Sequence, residues 1–217
     1  MRTLLATAVL LSLSTGAVMA QSRAITADVW ADNWFEMHVN GDKIIEDSVP
    51  ITTERSFNAE TVTFDAETPL TIAIMAKDFK QNDTGLEYIG SNRQQMGDGG
   101  LIAQFRDATT GETIAVTDSN TRCLVVHRAP LDRACESSSN PVAGEGACGF
   151  EETEIPADWT APGFDDSSWP SAVEHTVAAV SPKDGYDRID WDSSAELIWS
   201  ADLEQDNTLL CRLTVEN

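Results

Sequence analysis

Apolar and polar residues alternate along this chain with a period of two, and almost nowhere with the 3.6-residue period of a packed helix. Trp34-Phe-Glu-Met-His-Val39 is the clearest stretch: Phe35, Met37 and Val39 fall on one face and Trp34, Glu36 and His38 on the other. Asn40-Gly41 then supplies residues that tolerate the left-handed backbone of a two-residue hairpin, and residues 43–46 return. The same reasoning predicts strands at 25–31, 61–64, 101–105, 113–117, 122–127, 173–180, 195–200 and 209–215. Residues 70–76 are apolar enough for a central strand buried on at least one face. About ten to twelve strands, with no helix longer than two turns, predict an all-β sandwich. Residues 78–99 form the longest irregular stretch, polar and ending in Gly97-Asp98-Gly99-Gly100, and loops of that length are commonly functional.

The first twenty residues have a different character. Arg2 is a short basic region, residues 4–13 are apolar, and Val18-Met19-Ala20 provides a small-residue cleavage site before Gln21. This predicts a signal peptide over 1–20 and a periplasmic or secreted protein. The apolar run is too short to span a bilayer, and nothing later reaches the roughly 18 apolar residues of a membrane helix. Residues 21–217 then make one domain of about 200 residues, a size all-β single domains occupy. Cys123, Cys135, Cys148 and Cys211 all lie in this part, an even number that predicts two disulfides among three connectivities. No pair has the Cys-x2-Cys spacing of a zinc site. Residues 132–149 turn rich in Ser, Asn, Pro and Gly between Cys135 and Cys148, which predicts a surface loop stapled by its own disulfide. Closing so short a loop contributes about 2 to 3 kcal/mol.

With 36 acidic against 14 basic residues the formal net charge is -22. Such a chain repels nucleic acid and anionic membrane surfaces, which makes both poor candidate partners. It predicts instead a strongly solvated, salt-tolerant surface.

Several segments carry a family pattern. Ala31-Asp-Asn-Trp-Phe35 with Val39-Asn-Gly-Asp-Lys43, Gly99-Gly-Leu-Ile-Ala-Gln104, Thr117-Asp-Ser119, Trp159-Thr-Ala-Pro-Gly-Phe-Asp-Asp-Ser-Ser-Trp-Pro-Ser-Ala172, Ala195–Trp199 and Cys211-Arg212 follow one another in the order of galactose-binding-domain-like jelly rolls. The chain resembles that family over nearly all of 21–217. One packing position departs from it, since Thr121 stands where the family has tryptophan after its Thr-Asp-Ser-Ser turn. The resemblance implies a disulfide-stabilised jelly-roll β-sandwich, with Cys123 joined to Cys211 and Cys135 to Cys148. Physically, Trp159, Phe164, Trp169 and Trp199 read as glue between sheets and corners, because buried aromatics contribute the largest areas. Asp165 and Asp166 read as turn carboxylates accepting backbone N–H bonds.

The family also implies ligand binding through end loops, often of sugars, whose C–H faces stack on exposed aromatics. Trp34, Tyr88, Asn92, Arg93 and Gln94 are the candidates, and a free glycan-binding protein is the leading functional expectation. A metal is the second. Ca2+ wants six to eight oxygens, for which Asp165 and Asp166 are candidates, as are Asp184, Asp187, Asp190 and Asp192. Copper suits imidazole, and His38 and His127 on two strands would hold it if the sandwich brought them together near Trp34. An enzyme is the third class. The chain has no Gly-x-Ser-x-Gly elbow, His-Glu-x-x-His motif or phosphate loop. Oligomeric state is not legible at this level.

Overall fold

The computed structural model describes residues 22–53, 57–78 and 81–215. The proposed signal peptide lies outside these residues. Among the described residues the regular secondary structure is almost entirely β. Its strands are β1 (Ser22–Asp32), β2 (Trp34–Val39), β3 (Asp42–Glu46), β4 (Phe57–Glu67), β5 (Leu70–Lys77), β6 (Leu86–Glu87), β7 (Gln95–Met96), β8 (Gly100–Asp107), β9 (Thr113–Val116), β10 (Arg122–Arg128), β11 (Glu151–Glu152), β12 (Val173–His175), β13 (Leu197–Trp199) and β14 (Asp206–Val215). One six-stranded sheet runs β12-β13-β8-β1-β4 with β9 also on β8, and a second runs β11-β10-β14-β5-β2-β3. All pairings are antiparallel, as expected where neighbouring strands are joined by hairpins and returns.

The period-two pattern fixes which face is buried. Ile25, Ala27, Val29 and Ala31 of β1 and Leu101, Ala103 and Phe105 of β8 face inward from the first sheet. Phe35, Met37 and Val39 of β2, Leu70, Ile72, Ile74 and Ala76 of β5, and Leu209 and Cys211 of β14 meet them from the second. The Asn40-Gly41 turn forms as read, both residues having positive φ (52° and 94°).

Residues 173–180 depart from the predicted strand. Only Val173–His175 pairs, and Val177–Val180 makes one helical turn capped by the Thr176 side chain, which accepts from the Ala179 N–H. Residues 177–180 are all apolar, but Val180 alone is buried there while Val177 is 54% exposed. Apolar content without alternation does not specify a strand.

Both sheets are covered on their outer faces as well. Trp159 and Trp169 pack with Ala73, Met75, Val126 and Leu210 on the second sheet. Their corner is tied down by Arg212, only 2% exposed. Its Nε donates to Asp166 at 2.9 Å, Nη1 to the Trp159 carbonyl and Nη2 to the Ala161 carbonyl at 3.3 Å, and its guanidinium lies 5.1 Å from the Phe164 ring centroid. On the first sheet, Trp30, Ile102 and Leu197 are covered by Val180, Tyr186 and Trp191.

Two disulfides complete the frame, Cys123–Cys211 and Cys135–Cys148. The first joins residues 88 apart in sequence that are direct cross-strand partners on β10 and β14. The second staples the loop before β11, and Cys135 and Cys148 pack with Leu86 and Met96 of the β6–β7 ribbon. Two disulfides fit an oxidising compartment. Among the described residues no helix is long and apolar enough to cross a membrane.

Candidate functional site

Two places bring chemistry together, and the 78–99 segment contributes to both. The first lies on the outer face of the second sheet. Met75, Val126 and Thr208 floor a cleft of about 400 Å³, Glu152, Glu154 and Ile155 wall it, and Lys77 and His127 complete it. Lys77 is cross-strand to Trp34, and its ammonium sits 4.9 Å from that ring's centroid. His127 is 3% exposed, stacks on Phe150 with centroids 5.8 Å apart, and has Nε2 3.7 Å from Asp83. Asp83, His127 and Glu152 each present a ligand atom within 4.8 Å of the others.

The second place is an acidic cluster. Asp78, Glu87 and Asp98 present carboxylate oxygens all within 4.8 Å of one another. Asp78 and Glu87 are buried (1% and 3% exposed), and Asp32 beside them is fully buried. Lys183 reaches in from the segment covering the first sheet, with Nζ 2.6 Å from Asp98 and 3.6 Å from Asp32. Burial, reinforced by Asp98, pushes the Asp32 carboxyl well above the ordinary range despite Lys183. Gly97 is required here because a Cβ would fall 1.6 Å from the Asp78 carboxylate. Asp98 also lines a separate cleft of about 660 Å³ between the β6–β7 ribbon and residues 201–204.

The sequence candidates are distributed differently from their expected grouping. Trp34 and His38 share the outer face of the second sheet with His127. The two histidines do not meet, however. His127 is level with Thr208, Lys77 and Trp34 across three strand spacings, and His38 lies four residues further along β2. That offset is on the order of 20 Å at ~4.8 Å per strand and ~3.3 Å per residue. His38 instead packs edge-on against Trp159, with Nε2 3.3 Å from Glu36.

In the 78–99 segment, the Arg93 guanidinium lies 4.4 Å from the Tyr88 ring centroid and covers that ring. Gln94 is a strut: its Oε1 accepts from the Gly90 N–H at 3.0 Å and its Nε2 donates to the Glu136 and Ser138 carbonyls at 2.7 and 2.8 Å. Asn92 is exposed. Asp165 accepts from the Ser167 N–H, and Asp166 serves Arg212. Asp192 accepts from Ser194 and Thr113, which hold its pKa down at about 2.

Sequence reasoning missed Asp32, Asp78, Asp83, Glu87, Asp98, Glu152 and Lys183. Among 36 acidic residues no spacing singles these out. The one signal available was the irregular 78–99 stretch, which supplies four of the seven.

Comparison of the chain with protein-family models, with curated proteins and with solved structures finds no match.

Proposed function

We propose that this chain is an exported, non-catalytic binding domain with a galactose-binding-like jelly-roll fold, and that it takes a glycan segment in the cleft on the outer face of the second sheet. The observation carrying this reading is the composition of that cleft. An apolar floor of Met75 and Val126 suits the C–H faces of a sugar ring. Lys77 and His127 offer donors, and Glu152, Glu154 and Thr208 offer acceptors, for its hydroxyls. Trp34 adjoins through Lys77 and would extend the apolar surface once a ligand draws the ammonium aside. The acidic surface disfavours polyanionic polymers and leaves neutral ones. Affinity electrophoresis in neutral polysaccharides, followed by glycan-array binding, tests the reading with Lys77→Ala, Glu152→Ala and Trp34→Ala. At least tenfold weaker binding in the variants is expected. Unretarded migration in every polysaccharide, or equal binding by the variants, overturns it.

A second reading has its own observation. His127, Asp83 and Glu152 converge at the rim of the same cleft, a donor set suited to copper or zinc. It replaces the pairing of His127 with His38. Metal content after loading with Cu2+ or Zn2+ is expected to fall in His127→Ala and to be retained in His38→Ala. Equal content in both variants eliminates the site.

A further inference from the structure

Among the described residues, only β4 ends a sheet with a long strand. The other strands that lie at an edge, β3, β9, β11 and β12, have five, four, two and three residues, whereas β4 has eleven in unbroken register with β1. Both ends of β4 are engaged. The Glu60 side chain accepts from the Ser48 N–H at 3.1 Å, and the Glu67 carbonyl accepts from the Asn40 side-chain amide at 3.2 Å. Between them, residues 61–66 carry no lysine, proline or bulge, the devices that keep a sheet edge from pairing. The direction of their backbone groups follows from β1. The Ala24 carbonyl accepts from the Ala108 N–H, so Ala24 turns its groups toward β8. Its cross-strand partner is Asp65. In an antiparallel ladder Asp65, and with it Thr63 and Thr61, then points its N–H and C=O away from β1. All three residues are exposed, and Val62 and Phe64 on the core side of the same edge are only partly buried.

We propose that a second copy of this chain pairs at this edge, β4 against β4, antiparallel about a two-fold axis through Thr63. Free backbone and charge both select that register. Thr63 then faces Thr63, and Thr61 faces Asp65 twice; each pair exchanges two N–H···O=C bonds, about six in all. Val62 of one protomer opposes Phe64 of its partner, which covers the part of the core that β4 leaves open. An axis at Phe64 instead sets Thr61 against Glu67, whose carbonyl Asn40 already holds. An axis at Asp65 sets carboxylate against carboxylate, which is destabilising. The pairing does not rest on the glycan reading, since no residue of β4 lines that cleft. It would serve it, because an axis perpendicular to the sheets turns both clefts to one side, where a single polymer can engage the two.

The test is sedimentation equilibrium of the full chain from about 1 to about 200 µM, the range in which so narrow an interface would assemble. A monomer–dimer equilibrium is expected. Both copies are strongly acidic, so added NaCl should tighten it by screening their repulsion. A basic partner strand on the same edge would show the opposite dependence. Hydrogen exchange at the Thr61, Thr63 and Asp65 amides should slow only at the high concentration. Thr63→Pro removes the central N–H, which faces away from β1, so the monomer should still fold while dimerisation weakens at least about tenfold. Thr63→Lys sets two ammonium groups against each other and should weaken it similarly, whereas Thr109→Lys, the same charge change on an exposed turn, should not. A monomeric mass at every concentration overturns the proposal. So does a dimer that both Thr63 variants leave intact, or one that salt dissociates. Should Thr63→Pro fail to fold, Thr63→Lys and the exchange of the three amides decide the matter.

Discussion

Asp28 and Asp32 lie four residues apart on the same face of β1, and the protein treats them in opposite ways. Asp28 Oδ1 accepts from Thr61 at 2.6 Å, and Oδ2 accepts from Gln104 at 2.9 Å and Arg106 at 2.6 Å. Asp32 accepts no hydrogen bond within 3.5 Å among the described residues and faces the Lys183 ammonium at 3.6 Å. The same residue type at comparable burial is thus a fully hydrogen-bonded node in one place and a carboxyl held only by a shared ion pair in the other.

Their neutralisation should therefore act with different signs. Asp28→Asn removes the charge that Arg106 and Gln104 are arranged around and should cost about 2–3 kcal/mol. Asp32→Asn removes a carboxyl whose ionised form burial and Asp98 disfavour, and should leave stability unchanged or raise it. Urea denaturation of the two variants decides this, and equal losses would count against the contrast.

Arg212 holds the Trp159–Trp169 corner against the second sheet through one carboxylate, two carbonyls and a ring face. Arg212→Met keeps the stem but strands Asp166 and both carbonyls, and should cost about 3–5 kcal/mol. Arg212→Lys should recover only part of this, since an ammonium cannot satisfy three directions in one plane. Tryptophan fluorescence during denaturation reports whether the corner melts with the sheets or before them.

The two disulfides close loops of very different length, with sequence separations of 88 and 13. In the chain-entropy view they contribute about 4.5 and about 3 kcal/mol. Replacing Cys123 and Cys211 by Ser should lower global stability the more. Replacing Cys135 and Cys148 should instead raise hydrogen exchange locally around Leu86 and Met96, which pack on that bridge. Exchange mass spectrometry on both double variants separates the effects.

Asp47 carries a pH dependence of its own. Burial pushes its carboxyl up from 3.8 to about 6, partly offset by the Val49 N–H it accepts at 2.7 Å. The folded state then holds this proton more tightly than the unfolded chain does. Stability is gained as pH falls from about 6 toward 3.8, and above that window the buried charge is a standing cost. Asp47→Asn should raise the melting temperature at pH above about 7 and flatten the slope in this window, by an amount on the order of 1 kcal/mol. A variant whose slope matches the wild type would show that other carboxylates set it.

The strand pattern was legible because alternation is a local property: Trp34–Val39 declares its two faces within six residues, and Asn40-Gly41 declares its turn. The Trp159–Ala172 stretch was legible as a corner for a similar reason, with Arg212 the partner that the spacing alone did not reveal. Residues 173–180 keep the expected strand only at Val173–His175, because the Thr176 side chain caps a helical turn over Val177–Val180 that period-two alternation does not reveal.

The sequence by itself determined an all-β chain, the hairpin after Val39, the cysteines available for two bridges and a strongly acidic charge balance. Tertiary structure alone decided that His38 and His127 stay apart and that Asp32, Asp78, Glu87 and Asp98 converge. The physical reason is register: inward and outward faces follow from neighbours one and two residues away, whereas a buried charge cluster depends on how strands and loops tens of residues apart align, and on the low dielectric their packing creates.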